Sequence, residues 1–353
     1  MIDKRTRQIV GQRILGQFRD AGAVEVAPDI LLPAETLLDL YGEDIRARAY
    51  VTHDPVRGEV MLRPDFTVPV VQMHMAGGAE PARYCYLGEV FRKQDHGDER
   101  PEHPRENEYL QVGYEVFSRD EASDAEVFSL FWDILAPYRL EARMGDMRLL
   151  FDVIRALPLS AVRRDVLMHY VWMPQRFRSY LERFSQPASS RKMSEVGALW
   201  TGLRSPDEMR MRIDRLTAIE DEPPLAPEWS ALIGRLLAIA APAPQALEAL
   251  RGLASELPQI GEALQRLEKR LTLIEAHGVD ISRIQFETGH GRQSMDYYDG
   301  ATFTFTAPGH DDWPPVSSGG RYDALTQVLG QGKAIPAVGG IIRPGLIAEL
   351  EAK

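Results

Sequence analysis

The first apolar residues of the chain recur at intervals that fit an α-helix. Ile9, Ile14 and Phe18 follow this spacing, and Gly22 comes after them as a residue suited to end a helix. The pattern predicts a helix over residues 3–21.

The next stretches alternate between apolar and polar residues with the period of a β-strand. They predict a short strand that stops at Pro28 and two long antiparallel strands over residues 83–91 and 109–118. Residues 54–58 hold Asp, Pro and Gly and predict a turn between two shorter strands. The loop at residues 92–108 is almost entirely charged or polar.

Helical periodicity follows these strands. Residues 121–137 predict an amphipathic helix, and residues 146–272 are rich in Leu, Ala, Arg and Glu at helical spacing. Strand patterns then return, followed by a predicted glycine-rich turn at 317–320, a helix at 322–329 and a strand at 337–342.

This order of elements predicts an α+β fold in which an antiparallel sheet is flanked by helices. Residues 1–145 and 275–353 are predicted to form the core domain. Residues 146–274 are predicted to form a mostly helical insertion into it.

Composition narrows the classes of function. The 353 residues carry 41 basic and 52 acidic side chains, which gives a net charge of −11. Because nucleic-acid backbones are bound by clustered Lys and Arg, this acidic balance disfavours a dedicated nucleic-acid-binding protein. Cys85 is the only cysteine, so neither an intrachain disulfide nor a cysteine-based zinc site is predicted. Because no signal segment and no apolar stretch of roughly 20 residues is found, we expect a cytoplasmic protein without a membrane span.

Several short motifs occur in the order in which one known enzyme family carries them. Leu-Arg-Pro-Asp-Phe-Thr resembles that family's Leu-Arg-Pro-Glu-Gly-Thr, and Asp-Tyr-Tyr and Gly-Gly-Arg-Tyr-Asp elements come later. Two strand segments resemble motif 2 of the class II aminoacyl-tRNA synthetases, and Pro28 stands at the motif 1 proline of the dimer contact. The matching segments are residues 62–67, 86–92, 108–115, 296–298, 319–323 and 336–339. The chain therefore resembles the histidyl-tRNA synthetase family, which implies a class II catalytic-domain fold.

The resemblance implies a histidine pocket, and the residue types suit that ligand. Oxygen atoms of Asp65, Thr67 and Gln111 can accept hydrogen bonds from an ammonium group. Glu115 and the Tyr297 hydroxyl suit the edge of an imidazole, and tyrosine rings offer a flat wall. The implied histidine-binding residues are Asp65, Thr67, Arg92, Gln111, Glu115, Tyr297 and Tyr298.

Taken without the resemblance, these residues have ordinary explanations. Glu115 fits a charge that faces water at the end of a strand, and the two tyrosines fit core packing.

The chain departs from the family where the synthetases handle ATP. Gln293 stands where they carry the arginine that activates the substrate carboxylate, and a neutral amide cannot stabilise the charge that develops there. Leu346 replaces the motif 3 arginine that stacks on adenine, and Gln94 replaces the motif 2 glutamate. Phe66 replaces a glycine, which narrows the predicted site.

Two arginines lie close in sequence to the positions where the family's ATP-handling arginines are replaced, but neither occupies such a position. Arg292 is offset by one residue, which in a strand reverses the direction of the side chain. Arg343 comes three residues early and is followed by proline. Neither is predicted to restore the lost function.

A histidine pocket without its ATP-handling groups resembles the regulatory subunits of ATP phosphoribosyltransferase, a histidyl-tRNA synthetase-like family. The resemblance implies no catalytic residues, no cofactor and no tRNA binding. It implies that the chain supports a short-form catalytic subunit in the first step of histidine biosynthesis and mediates feedback inhibition by L-histidine. It also implies a homodimeric core within a hetero-octamer.

Two other functions stay open on the sequence. A divergent amino-acid-activating enzyme would need compensation for Gln293 and Leu346 and would catalyse ATP–pyrophosphate exchange. An RNA-binding regulator with a synthetase-like fold would need a basic surface. Asp95, His96 and His103 in the polar loop match no standard ligand spacing, so no metal site is predicted.

Overall fold

The computed structural model describes residues 2–41, 45–93, 107–187, 205, 207–211, 213–214, 222–292 and 297–352. Its strands are β1 (Val24–Glu25), β2 (Leu31–Pro33), β3 (Val51–Asp54), β4 (Gly58–Leu62), β5 (Ala82–Phe91), β6 (Glu108–Phe117), β7 (Glu141–Asp146), β8 (Ala240–Pro242), β9 (Ile284–Glu287), β10 (Ala301–Thr306), β11 (Ser317–Arg321) and β12 (Ala337–Ile342). The two long predicted strands are confirmed as β5 and β6.

Helices surround these strands. They are α1 (Lys4–Asp20), α2 (Ala34–Tyr41), α3 (Ile45–Arg48), α4 (Thr67–Met75), α5 (Ser123–Leu135), α6 (Met147–Ala156), α7 (Ala161–His169), α8 (Pro174–Phe184), α9 (Pro227–Leu237), α10 (Ala243–Ala254), α11 (Gly261–Ala276), α12 (Asp323–Leu329) and α13 (Pro344–Glu351). Within the part of the chain that the structure describes, no helix combines the length and the apolar character needed to cross a membrane.

A nine-stranded sheet in the order β1-β5-β6-β12-β11-β10-β7-β9-β8 forms the centre of the fold. Its middle is antiparallel, while β1 pairs with β5 and β7 pairs with β9 in parallel. A parallel pair needs a crossover connection rather than a tight hairpin, and both connections here contain helices as well as short strands. The predicted α+β arrangement is confirmed, with a mixed sheet.

The two faces of the sheet carry different cores, because successive strand residues point in opposite directions. Val112, Tyr114 and Val116 of β6 join the large core formed with α1, α5, α6 and α11. On the other face, Tyr86 and Phe117 belong to a smaller aromatic cluster. This second face carries the candidate site.

Helix α1 confirms the first predicted helix. The Asp3 carboxylate caps it by accepting a hydrogen bond of 2.8 Å from the Thr6 amide. Phe18 is buried, but Ile9 is 61% exposed. Nine residues separate the two, which is about two and a half helical turns and places them on opposite sides.

The predicted glycine-rich turn at residues 317–320 is wrong, because these residues form β11 in the middle of the sheet. A Cβ atom at Gly319 would lie 2.3 Å from the Phe303 ring and 2.5 Å from the Gly339 carbonyl oxygen. The glycines therefore allow neighbouring strands and a bulky ring to approach closely.

The region at residues 146–274 contributes a strand as well as helices. Its strand β8 pairs with β9 at one edge of the main sheet. The division into a core domain and an insertion remains a prediction.

Candidate functional site

Glu115 stands at the centre of the aromatic face of the sheet and is 1% exposed. Three hydroxyl groups donate hydrogen bonds to its carboxylate. Tyr322 donates to Oε2 at 2.6 Å, Tyr86 donates to Oε1 at 2.9 Å, and Thr67 donates to Oε1 at 3.3 Å. Glu115 is therefore not a strand-end charge facing water, but a buried acceptor.

Glycines in the surrounding strands make room for this arrangement. Gly113 lies opposite Tyr86, and a Cβ atom there would be 2.2 Å from the Tyr86 ring. Gly339 lies opposite Glu115, and a Cβ atom there would be 1.6 Å from Glu115 Oε2. Side chains larger than hydrogen at these positions would displace the groups that form the site.

The electrostatics of the cluster follow from its burial. Loss of hydration raises the pKa of Glu115 to about 7, although the three hydroxyl donors favour the carboxylate and offset part of this rise. The nearby Asp65 charge raises it further. Burial, together with the Glu115 carboxylate, also raises the pKa values of Tyr86 and Tyr322 well above the ordinary value. The site therefore holds an acid that titrates near neutral pH.

The predicted residues Thr67, Tyr297 and Tyr298 meet beside Glu115. The Tyr297 hydroxyl donates to Thr67 Oγ1 at 3.3 Å, which extends the hydrogen-bonded chain from the carboxylate. The rings of Tyr297 and Tyr298 contact edge to face with centroids 4.8 Å apart. Asp65 is close by, since its carboxylate accepts a hydrogen bond from the Val68 amide in the first turn of α4.

Gln111 and Arg92 complete the predicted set. Gln111 shares one face of β6 with Gly113 and Glu115 and is 2% exposed. Among the described residues, its Oε1 atom has no hydrogen-bond partner. A buried acceptor without a partner is uncommon, so a bound donor would satisfy it. Arg92 donates to the Pro64 carbonyl at 2.8 Å, which places its guanidinium at the start of the segment that carries Asp65 and Thr67.

Phe66, which replaces the family's glycine, fills space within the site. Its ring stacks on Tyr86 with centroids 4.2 Å apart, and the Arg63 guanidinium lies 3.8 Å from its centroid. Arg63 also donates to the Pro28 carbonyl at 2.7 Å. The segment that carries Asp65 and Thr67 is thereby joined to Pro28, which stands at the position of the motif 1 proline.

Two donors to Glu115, Tyr86 and Tyr322, are absent from the predicted site. Their placement depends on pairing between strands that are far apart in the sequence, which local periodicity does not determine. Gly113 was the available signal, since glycine inside a strand often marks a close approach by another group.

The arginines near the lost ATP positions are engaged elsewhere. Arg292 donates to the Val171 carbonyl at 2.8 Å and lies 4.8 Å from the centre of the Phe177 ring. Arg343 donates to the Pro315 carbonyl. The predictions made for Gln293, Asp296, Gln94, Asp95, His96 and His103 fall outside the residues that the structure describes.

A buried network of ion pairs supports the strand that precedes Tyr322. Arg270 pairs with Asp124 at 2.9 Å and with Asp146 at 3.0 Å. Arg321 pairs with the same Asp124 at 2.7 Å and with Asp323 at 3.1 Å. The network thus joins α5, α11, the end of β7 and the residues on either side of Tyr322.

The raised pKa of Glu115 predicts a pH-dependent contribution to stability. An acid whose pKa rises on folding stabilises the fold below its unfolded pKa of 4.5, and this contribution is lost as pH rises through about 7. The loss amounts to roughly 3 kcal/mol. Urea unfolding of the protein and of Glu115→Gln between pH 4.5 and 8 measures it as a change in the difference between their free energies of unfolding. The difference should stay constant for exposed Glu262→Gln, and equal pH profiles for the protein and Glu115→Gln would contradict the assignment.

Comparisons with known proteins identify related sequences. A sequence model of the histidyl-tRNA synthetase family matches residues 3–177 and 209–344. The ATP phosphoribosyltransferase regulatory subunit of Mesorhizobium japonicum is 33% identical, and the match covers 91% of each chain. The protein of the same name from Agrobacterium fabrum is 29% identical, with 92% of each chain covered.

Solved structures show the same fold. The chain superposes with a TM-score of 0.72 on a protein from Bacillus halodurans described as an ATP phosphoribosyltransferase regulatory subunit/histidyl-tRNA synthetase, at 20% identity over 99% of this chain and 81% of the other. For the histidyl-tRNA synthetase of Nostoc sp. the TM-score is 0.67, at 18% identity over 99% of this chain and 72% of the other. The solved structures thus agree in fold, and the sequence matches show that the chain belongs to the histidyl-tRNA synthetase family and, within it, to the ATP phosphoribosyltransferase regulatory subunits.

Proposed function

We propose that this chain is the non-catalytic subunit that activates a short-form ATP phosphoribosyltransferase in the cytoplasm and confers inhibition by L-histidine. The single observation that carries the proposal is the buried Glu115 carboxylate, surrounded by hydroxyl groups in a chain whose relatives are named regulatory subunits. The end product of the pathway would then act through the pocket around Glu115.

The pocket offers a specific acceptor for an imidazole. A carboxylate has about four lone-pair sites, and three hydroxyl donors occupy three of them at Glu115. No other described residue donates to the fourth site, which lies on Oε2 and can accept one imidazole N–H. The rings of Tyr297 and Tyr298 would line the apolar faces of the ligand.

The other end of the ligand would use the remaining predicted residues. The Gln111 Oε1 atom has no hydrogen-bond partner among the residues that the structure describes. This atom and the oxygens of Asp65 and Thr67 can accept hydrogen bonds from the ammonium group. Arg92, held beside Pro64, supplies a positive charge for the carboxylate. In this assignment Asp65, Thr67, Arg92, Gln111, Glu115, Tyr297 and Tyr298 bind histidine.

Binding without chemistry is expected because the groups that would activate the carboxylate are replaced. Gln293 and Leu346 are neutral where the synthetases carry arginine, and Arg292 is held against Val171 and Phe177. A ligand bound in this way is not consumed, as a sensor of an end product requires. The proposal includes no cofactor and no tRNA.

Regulation would require histidine to favour one of two states of the assembly, with a coupling of about 1–3 kcal/mol. We place an isologous dimer at the core of a hetero-octamer with the catalytic subunit. The hydrogen bond from Arg63 to the Pro28 carbonyl holds the segment that we assign to the dimer contact.

Reconstitution with a short-form catalytic subunit from the same genome tests the proposal. Mixing should produce a larger complex in light scattering and should switch on or raise the condensation of ATP with phosphoribosyl pyrophosphate. If mixing produces no larger complex and leaves the activity of the catalytic subunit unchanged, the partnership is refuted. In that case, histidine-dependent ATP–pyrophosphate exchange by this chain alone would support the amino-acid-activating enzyme instead.

A further inference from the structure

A cavity of about 530 Å³ lies on the opposite face of the sheet from Glu115. Tyr114 lines it, and this residue follows Gly113 and precedes Glu115 along β6, so its side chain points away from the histidine pocket. The volume falls within the range of small-molecule sites, about 300–1,000 Å³. The cavity is therefore separate from the site already described.

Ser129 is a buried polar residue in the wall of this cavity. Ser129 lines the cavity and is 3% exposed, and among the described residues its hydroxyl has no hydrogen-bond partner. Tyr114 is 1% exposed, whereas Asp133 is exposed to solvent. Glu126, Ser129 and Asp133 belong to one face of α5, since they are spaced by three and four residues.

The charges at the cavity favour a cation. Arg83 donates two hydrogen bonds of 2.6 Å to Glu126, so its positive charge is already matched. Asp133 also lines the cavity, and within the described part of the chain no ion pair is formed by its carboxylate. Among the arginine and acidic side chains that line the cavity, Asp133 therefore leaves one negative charge in excess.

Two helix ends add to this negative potential. Helix α1 ends next to Ala21 and Gly22, and α11 ends next to His277, and all three residues line the cavity. The carboxyl-terminal end of a helix carries a partial negative charge that attracts cations.

We propose that this cavity binds a small aliphatic amine, with its ammonium group on Asp133 and Ser129 and its carbon chain against Leu130 and Ala21. Asp133 supplies the opposite charge, and the Ser129 hydroxyl, which has no hydrogen-bond partner among the described residues, gains one. The site shares strand β6 with the histidine pocket but none of the seven residues assigned to histidine.

Calorimetric titration with 1,4-diaminobutane at constant ionic strength tests this site, with 1,4-butanediol as the uncharged probe of the same length. Saturable binding of the diamine and none of the diol is expected. Asp133→Asn should weaken diamine binding by about two- to fivefold, the effect of losing an ion pair to a solvent-exposed carboxylate.

Two further variants distinguish binding at this site from non-specific binding of the diamine to the negatively charged protein surface. Ser129→Ala should also weaken binding. The unliganded protein should keep or gain stability, because the variant removes a buried hydroxyl that has no partner within the described part of the chain. Asp165→Asn removes an exposed charge from α7 and should leave binding unchanged. Absence of saturable diamine binding, or equal losses in Asp133→Asn and Asp165→Asn, would overturn the proposal.

Discussion

Replacement of Glu115 by glutamine is expected to weaken L-histidine binding by about ten- to hundredfold, the effect of losing one charge-assisted hydrogen bond in a buried site. The amide has a single acceptor oxygen, while Tyr86, Tyr322 and Thr67 together need more than one. One side of the group then presents N–H donors to the imidazole instead of an acceptor. Isothermal titration calorimetry at pH 7.5 measures the change.

Two control variants sharpen this experiment. Glu262→Gln removes an exposed glutamate whose side chain is 86% accessible, and it should leave the affinity unchanged. Tyr297→Phe removes only the hydroxyl that donates to Thr67 and should weaken binding by a smaller factor. Wild-type affinity in both Glu115→Gln and Tyr297→Phe would show that histidine binds elsewhere.

Replacement of Arg270 by methionine is expected to lower the free energy of unfolding by about 3–5 kcal/mol. Arg270 is 5% exposed and is the shared partner of Asp124 and Asp146. Removing it leaves the Asp146 carboxylate, which is 1% exposed, without its ion pair. Urea denaturation at neutral pH measures the loss.

Arg235→Met is the matched control for this prediction. Arg235 makes a two-bonded pair with Glu256, but both side chains are about half exposed. Exposed pairs contribute only about 0–1 kcal/mol. Equal losses in the two variants would contradict the structural role assigned to the buried network.

Local patterns explain which parts of the fold were predictable. The strands β5 and β6 were located to within one residue, because each has a ten-residue pattern set by its own neighbours. The glycines of β11 were misinterpreted as a turn, because their role depends on Phe303 and Gly339 in the adjacent strands. A glycine that relieves a steric conflict between strands has the same local signature as a glycine in a turn.

The residues of the candidate site were likewise predictable only where a local motif marks them. Motif positions pointed to Thr67, Glu115 and Tyr297, and the structure brings these three together through hydrogen bonds. Sequence reasoning overlooked Tyr86 and Tyr322, because their contact with Glu115 follows from the pairing of β5, β6, β11 and β12. The burial that raises the pKa of Glu115 to about 7 is likewise a property of the assembled sheet.

The most direct test of the proposed regulatory function is a titration of L-histidine against the reconstituted complex with the short-form catalytic subunit. The complex that contains the wild-type chain should lose activity as histidine rises. The complex that contains Glu115→Gln should be equally active without histidine and require at least about tenfold more of it for the same inhibition. Identical inhibition curves for the two complexes, or a catalytic subunit inhibited equally well without this chain, would contradict the account.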